Sequence, residues 1–300
     1  MAVSPVNDYQ RRTGSHRAGA DRDAPEDPTY VLGRSETETR RLMLQSELYG
    51  HVMQRFLRDA GVCHGMTVLD VGSGAGDVAF TVADIVGPTG KVVGIDTNPT
   101  VLATARRRAD DERRDNVAFV EGDCRTAELA QDFDAVVGRF VLMYTGDVSA
   151  TLQAVVDRVR PGGVVAFAEA DFTSVLGYMQ AGPSDLFRTT WEWATQAFRQ
   201  AGVHTAMAQP LYHAFAAAGL GEPRMVLHAP LGCHPEWAGY EWLAESMRSV
   251  LPLMETFGIV TAQELQVETL AERYRAEVIR TGFPFMMLPM VAAWARKPTA

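Results

Sequence analysis

VLDVGSGAGD, residues 68–77, is the stretch on which the fold turns. An apolar run reaches Asp70 and Val71 and passes into glycines at 72, 74 and 76. A buried strand, a glycine-rich turn and a helix start open a sheet whose ligands sit at the carboxyl ends of its strands. Such turns serve several nucleotide-like ligands, so spacing has to discriminate. The dinucleotide fingerprint is G-x-G-x-x-G. Here the pattern is G-x-G-x-G, and Asp77 stands where the third glycine would be. That glycine lets helix and strand close around a pyrophosphate, a role an Asp fills badly. The spacing weakens an NAD reading without removing it.

On both sides of this turn the pattern alternates. MTVLDV, KVVGID, NVAFVEGD, FDAVVGRF and GGVVAFAEAD read as buried strands. GDVAFTVADIVG, NPTVLATARRRAD and DVSATLQAVVDRV read as the helices between them, with Asn98 as N-cap and Pro99 at the first helical position of the second. Apolar strands alternating with helices imply a parallel sheet covered on both faces. Upstream, Ser35 and Glu38 form a capping box. The stripe Leu42, Met43, Tyr49, Val52, Met53, Phe56, Leu57 follows at helical spacing, with Gly50 a point where that helix could split. Downstream, PSDLFRTTWEWATQAFRQAG, PLYHAFAAAG, EWAGYEWLAESMRSVLPLMETFG and TAQELQVETLAERYRAEVIRTG read as helices. PRMVLHAPLG and FMMLPMVAAWARKP read as a sixth and a last strand.

The expected architecture is α/β: a Rossmann-like, seven-stranded, mostly parallel sheet with helices on both faces. An N-terminal helical lid and a helical insertion before the sixth strand complete it. Four segments are expected: a disordered tail at 1–28, the lid at 29–65, a ligand-binding core at 66–171, and a helical, substrate-side elaboration at 172–300 that completes the sheet.

Composition narrows the function. Apolar residues make up 47% of 300, enough for a sizeable core. A formal charge of −9 disfavours a nucleic-acid binder that works through a basic surface. No apolar run reaches the roughly 18 residues of a membrane helix, and MAVSPVNDYQRRTG has no secretory apolar region. Cys63, Cys124 and Cys233 are scattered, which fits a reducing cytoplasm and argues against a thiolate metal site. The expectation is a cytoplasmic protein with no metal, no nucleic acid, no membrane insertion, a small-molecule partner and room for a homo-oligomer.

Asp96 ends the second strand, where a carboxylate can take both hydroxyls of a ribose. Asp123, in EGDC after the third strand, lies where it can accept from an adenine amino group. Taken in order, VLDVGSGAGD, VVGIDTN, FVEGDC, FDAVVGRFVLMY and RPGGVVAFAEAD resemble class I S-adenosylmethionine (SAM) dependent methyltransferases, over residues 66–171. In detail the chain resembles the ubiquinone/menaquinone C-methyltransferase-like branch. YVLGRSETETRRLMLQ and MVAAWARKP extend that likeness more loosely.

The resemblance implies roles. Gly72 and Gly74 would give backbone room for the methionine part of SAM, and Asp70 would organise the turn and the ligand's ammonium. Asp96 would hold the ribose hydroxyls, with Thr97 and Asn98 flanking the adenine. Asp123 and the Cys124 amide would address the adenine. Gly138 and Arg139 would line the methionine side with Phe140 beside them, and Tyr30 and Gln45 would close over it. The product would be S-adenosylhomocysteine.

SAM carries the reactive methyl group, so the chain need not advertise a catalyst. A base is required only where the acceptor must lose a proton. The candidates are Glu169 and Asp171 after the fifth strand, then His204 and His213, with His228 and His234 behind them. No Asn-Pro-Pro-Tyr type motif follows the fourth strand, which argues against methylating exocyclic amines of DNA bases. All five Trp lie beyond residue 190, and Leu186, Phe187, Trp191, Ala194 and Phe198 share one helical face. Apolar, adaptable linings suit a hydrophobic acceptor.

The reading is methyl transfer to oxygen or carbon of a small, fairly apolar molecule, such as a bacterial secondary metabolite or quinone-like phenol. Its rivals are a SAM-binding scaffold without transfer, a SAM-assisted cyclisation, and an NAD-dependent oxidoreductase.

Overall fold

The computed structural model describes residues 36–129 and 132–299, and the side chains from Arg41 onward except Leu42, Met43 and Ser46. The expected tail, Tyr30 and Ser35 lie outside the described residues. The first helix, α1 (Glu36–Ala60), runs unbroken through Gly50. One glycine costs a helix interior only about 1 kcal/mol, and burial of Tyr49, Met53, Phe56 and Leu57 outweighs that.

The core then alternates as its sequence requires: β1 (Thr67–Val71), α2 (Asp77–Val86), β2 (Lys91–Asp96), α3 (Pro99–Asp111), β3 (Val117–Glu121), β4 (Phe133–Arg139), α4 (Val148–Val156) and β5 (Val159–Ala170). The Asn98 side chain caps α3 by accepting from the Thr100 amide at 3.0 Å, with Pro99 at the first helical position. A first block of helices follows, α5 (Phe172–Gln180), α6 (Asp185–Gln200) and α7 (Ala208–Ala217), before β6 (Arg224–His228). Then come β7 (Leu231–Gly232), α8 (Gly239–Thr256), α9 (Ala262–Leu265), α10 (Leu270–Thr281), β8 (Phe285–Met286) and β9 (Met290–Arg296).

Seven strands form one sheet in the order β3-β2-β1-β4-β5-β9-β6. β1 to β5 pair in parallel, and β9 alone runs antiparallel, between β5 and β6. The expected mostly parallel sheet is therefore present. From β1 the chain moves outward to β2 and β3, then returns to β1's other side at β4. The crevice at the carboxyl ends of β1 and β4 is thus the switch point where open α/β sheets bind ligands.

Three details differ from the sequence reading. FTSVLGYMQ forms α5, started by the Asp171 side chain as N-cap. PRMVLHAPLG and FMMLPMVAAWARKP each divide, and β7 pairs with β8 in a separate two-stranded ribbon. Pro230 and Pro289 stand near the breaks, and a proline cannot donate to a ladder. Finally, the helical stretch TAQELQVETLAERYRAEVIRTG divides into α9 and α10 past Gln266, which has φ +52°. As the order of the helical stretches in the sequence implied, one block of helices precedes β6 and the other, α8 to α10, lies between β6 and β9.

Candidate active site

A cavity of about 290 Å³ opens at the carboxyl ends of β1, β2 and β4. The glycine turn forms its floor. Gly72 has φ +65° and Gly74 has φ +52°, conformations that a residue with a Cβ resists. A Cβ on Gly72 would lie 2.5 Å from Val141 Cγ2, whereas one on Gly74 would meet nothing within 4 Å. Gly72 is therefore closed by packing and Gly74 faces open cavity.

Asp96 ties this turn to the next one. Its carboxylate accepts from the Gly74 amide and from the Asn98 amide, each at 2.9 Å. Thr97 and Asn98 line the cavity beside it. Asp70 lies beneath, 1% exposed, and neither carboxylate oxygen has a hydrogen bond of good geometry, with the Ala79 amide nearby pulling its carboxyl down only in part. Burial pushes its carboxyl well above the usual range; the Arg139 guanidinium opposes this and Asp96 adds to it. Asp70 does not itself reach the cavity wall.

Arg139, at the end of β4, is buried on the wall 3.8 Å from Asp77. Burial pulls its guanidinium below the ordinary arginine range, and Asp77 and Asp70 counter that. Asp77 also accepts from Arg108 at 2.8 Å, so the residue in the third-glycine position is a buried junction between α3 and β4. On α1, one turn apart, Arg41 donates to Gln45 at 2.8 Å, and both side chains line the cavity.

After β3, Asp123 and Cys124 line the opposite side. Burial raises the Asp123 carboxyl, but the Arg125 fork and amide prevail and hold it below its usual range. Burial, with Asp123 adjacent, pushes the Cys124 thiol up to about 12, so it stays protonated. Phe140 lines the wall at φ +54°, a conformation costing roughly 1 kcal/mol or more that surrounding structure must impose. Its amide donates to the Ala168 carbonyl at 2.9 Å. Gly138 does not reach the cavity; the space of its missing Cβ is filled by Phe167, 2.6 Å away.

The four candidate bases stand elsewhere. Glu169 is fully buried and accepts from the amides of Val141, Leu142 and Met143 at 3.2, 2.9 and 3.2 Å. It staples the turn after β4. Asp171 accepts from the Thr173 amide and hydroxyl and from the Ala208 amide, so it starts both α5 and α7. His204 braces the same turn after β4, with Nε2 3.1 Å from the Thr145 carbonyl and its amide donating to Met143. His213 is exposed on α7 against Tyr212. None of the four lines the cavity.

The far end is apolar. Trp191, Ala194 and Phe198 of α6 meet Phe172 there, while Trp242, Met247 and Val250 of α8 close the other side. Of the α6 face anticipated from sequence, Phe187 instead stacks on Phe285, at 3.8 Å between ring centroids. The sequence reading missed Arg41, Arg125 and the whole α8 face. Arg41 carried a usable signal, since it stands four residues before Gln45 on one helical face. Trp242 stood out only as one of five tryptophans beyond residue 190, because its position depends on how two distant segments pack.

Residues 63–218, just over half of the chain, match the family model for a methyltransferase domain. The chain belongs to the methyltransferase domain family. The demethylmenaquinone methyltransferase of Lactococcus lactis is 29% identical over 126 residues, 42% of this chain and 50% of that protein. The aklanonic acid methyltransferase DauC of a Streptomyces species is 33% identical over 109 residues, 36% of this chain and 50% of that one. The chain thus spans about half the length of the curated relatives it matches. Among solved structures, the YcgJ protein of Bacillus subtilis superposes with a TM-score of 0.53 at 17% identity, covering 84% of this chain and 100% of that one. The cyclase SpnF does so at 0.52 and 16%, covering 92% and 98%. These structural likenesses show the fold. The matched methyltransferase domain contains the glycine turn and α6 but neither α1 nor α8. Arg41, Gln45 and Trp242 are therefore outside the matched span.

Proposed function

We propose that the chain transfers a methyl group from SAM to oxygen or carbon of a small, fairly apolar organic molecule. One observation carries this: a single cavity runs from a charged end, built by the glycine turn and strand ends, into an apolar end built by α5, α6 and α8. The residues present fit SAM. Gly74 leaves open space where any other residue would place a Cβ, Asp96 presents a carboxylate at the end of β2, and Asp70 is an unpartnered acid under the turn.

In this reading Asp96 holds the ribose hydroxyls, Thr97 and Asn98 flank the adenine, and Asp123 and the Cys124 amide address its edge. Gly72, Gly74, Arg139, Phe140 and Gln45 surround the methionine part, with Tyr30 from the preceding segment closing over it and Asp70 setting the field for the ammonium. Bound there, SAM supplies an electrophilic methyl group for an in-line displacement. The chain's part is alignment and water exclusion, worth about 7–11 kcal/mol at best. The core at 66–171 holds the cofactor and the elaboration at 172–300 holds the acceptor. A bacterial secondary metabolite or quinone-like phenol suits the apolar end. A cytoplasmic location and no nucleic-acid partner are part of the same reading, supported by the scattered cysteines and the charge of −9. No helix among the described residues is long and apolar enough to cross a membrane.

Calorimetric titration with SAM, S-adenosylhomocysteine and NAD tests the reading. Micromolar binding of the first two and none of NAD is expected. Binding of NAD alone, or of none, would overturn it. Binding with no turnover over a panel of phenols and enols would favour a scaffold or a SAM-assisted cyclisation.

A further inference from the structure

Asp77, the acid in the third-glycine position of the turn, has a cation on each side. Its Oδ1 accepts from Arg108 Nη1 at 2.8 Å, and its Oδ2 lies 3.8 Å from Arg139 Nη2. Arg108 is itself fixed. The same nitrogen donates to the Ala75 carbonyl at 2.6 Å, and the guanidinium lies 4.9 Å over the Phe80 ring. Asp77 is thus anchored to α3 beside the glycine turn, with its side chain 5% exposed.

Arg139 is the loose end of this chain of charges. Its side chain is 6% exposed and stands on the cavity wall. At 3.8 Å the Asp77 contact is an ion pair, too long for a hydrogen bond. Among the described residues the Arg139 side chain makes no hydrogen bond. Its nitrogens are not sealed off, as both Asp70 oxygens are, and so keep accessible surface. A guanidinium carries five N–H donors in a planar fork, and a nearly buried donor without a partner calls for an explanation. Arg41, on the same wall, adds a second positive charge within electrostatic reach. Two guanidinium groups repel an ammonium and attract an anion, and the fork matches a carboxylate in two parallel bonds.

We propose that Asp77 is a positioning residue: anchored by Arg108, it holds the Arg139 guanidinium on the cavity wall to receive a carboxylate of the bound molecule. The proposal rests on the methyltransferase reading, in which Arg139 stands at the methionine part of SAM, and the carboxylate is the one that part carries. Asp70 then favours the ammonium and Arg139 the carboxylate, so the two orient the methionine part between them. The acid that departs from the dinucleotide fingerprint acts through Arg139, without touching the ligand.

The test uses the full chain and two probes, S-adenosylhomocysteine and its decarboxylated form, which keeps the amine and lacks the carboxylate. Calorimetry should show S-adenosylhomocysteine binding about tenfold to a hundredfold tighter, as a hydrogen bond to a charged group provides. Arg139→Met should erase this preference without weakening the decarboxylated probe. Asp77→Asn keeps the shape and removes the charge; it should cost S-adenosylhomocysteine about tenfold and the decarboxylated probe little. Arg108→Gln, at a side chain 27% exposed, should produce the same selective loss on a smaller scale. Asp77→Asn combined with Arg139→Met should lose no more than Arg139→Met alone, since the first residue works through the second. Additive losses overturn the proposal. So does an equal loss for both probes in Asp77→Asn and in Arg108→Gln, because Asp77 then supports the turn alone. Equal binding of the two probes to the unaltered protein overturns it and leaves the methyltransferase reading standing. A preference for 2-naphthoate over 2-naphthol on the protein saturated with S-adenosylhomocysteine, lost in Arg139→Met, would move the carboxylate to the acceptor and overturn its assignment to the cofactor. If neither adenosyl probe binds, both the proposal and the reading fall.

Discussion

Gly72 and Gly74 share a backbone conformation and differ in what surrounds them. Gly72→Ala adds a methyl group against Val141 to an already left-handed residue, so it should cost about 2–4 kcal/mol of stability, read as a lowered denaturation midpoint. Gly74→Ala meets no wall and should cost only about 1 kcal/mol, the ordinary penalty of a positive φ. Its methyl group would project into the cavity, so SAM affinity should fall at least tenfold while the protein stays folded. An unchanged affinity would show that the ligand does not approach this turn. Asp96→Ala should weaken SAM by a similar factor and also release the amides of Gly74 and Asn98, at about 1 kcal/mol of stability each. Affinity equal to that of the unaltered protein would remove the ribose assignment. Both positions were legible in the sequence because a glycine turn after a strand, and an acid at the next strand's end, are local signals. Arg125 was not: its importance lies in overcoming the burial of Asp123, which only the folded surroundings create.

The turn after β4 carries Phe140 in a left-handed conformation and Val141 against Gly72, and β5 holds it in place through Glu169. Burial pushes the Glu169 carboxyl up to about 7 from 4.5, with the three amides pulling the other way. Between these values the folded protein keeps a proton that the unfolded chain has lost. Stability therefore falls as pH rises from 4.5 to 7, by about 3 kcal/mol at most. Glu169→Gln removes the titration and turns one amide donor toward an NH₂ group. The variant should melt lower than the unaltered protein at pH 5 by an amount worth about 1–3 kcal/mol, and the gap between them should narrow by pH 8. A gap that stays constant from pH 5 to 8 would mean that the amides outweigh burial and the carboxylate is charged throughout. The sequence placed Glu169 and Asp171 at a strand end and suggested proton transfer there. It could not show that three amides and two helix starts already occupy them. Strands buried on both faces were easy to read because their apolar runs are continuous. The β7–β8 ribbon was hidden because it pairs Leu231 with Met286 across 55 residues, and no local period records such a pairing.

Two layers of different character make up the molecule. The parallel strands and the helices covering them bury Val, Ala and Phe side chains almost completely. The cavity roof, in contrast, comes from segments far apart in sequence: α1 at one end of the described chain, and α6 and α8 from the two added blocks. Tyr49 joins parts of this roof. Its hydroxyl donates to the Leu288 carbonyl at 2.6 Å, and its ring meets Phe140 and Trp242. A ligand that binds only the folded state stabilises it by about 2.7 kcal/mol at one hundred times its dissociation constant. Where that stabilisation falls depends on which parts open separately from global unfolding. Amides of the buried strands should exchange only with global unfolding, and so should slow by the global increment alone. α8 packs on α1, α6 and α10, and α1 joins it to the sheet; together they supply Arg41, Gln45, Trp242 and Met247 to the cavity. Saturation with S-adenosylhomocysteine should therefore slow amide exchange most in α1, the glycine turn and α8, and least in α10, which does not line the cavity. Tyr49→Phe should raise exchange in α1 and α8 together without the ligand, and S-adenosylhomocysteine should restore part of the protection. Equal slowing across α1, α8 and α10 would show that ligand binding acts on global stability alone, and that the roof has no separate motion to close.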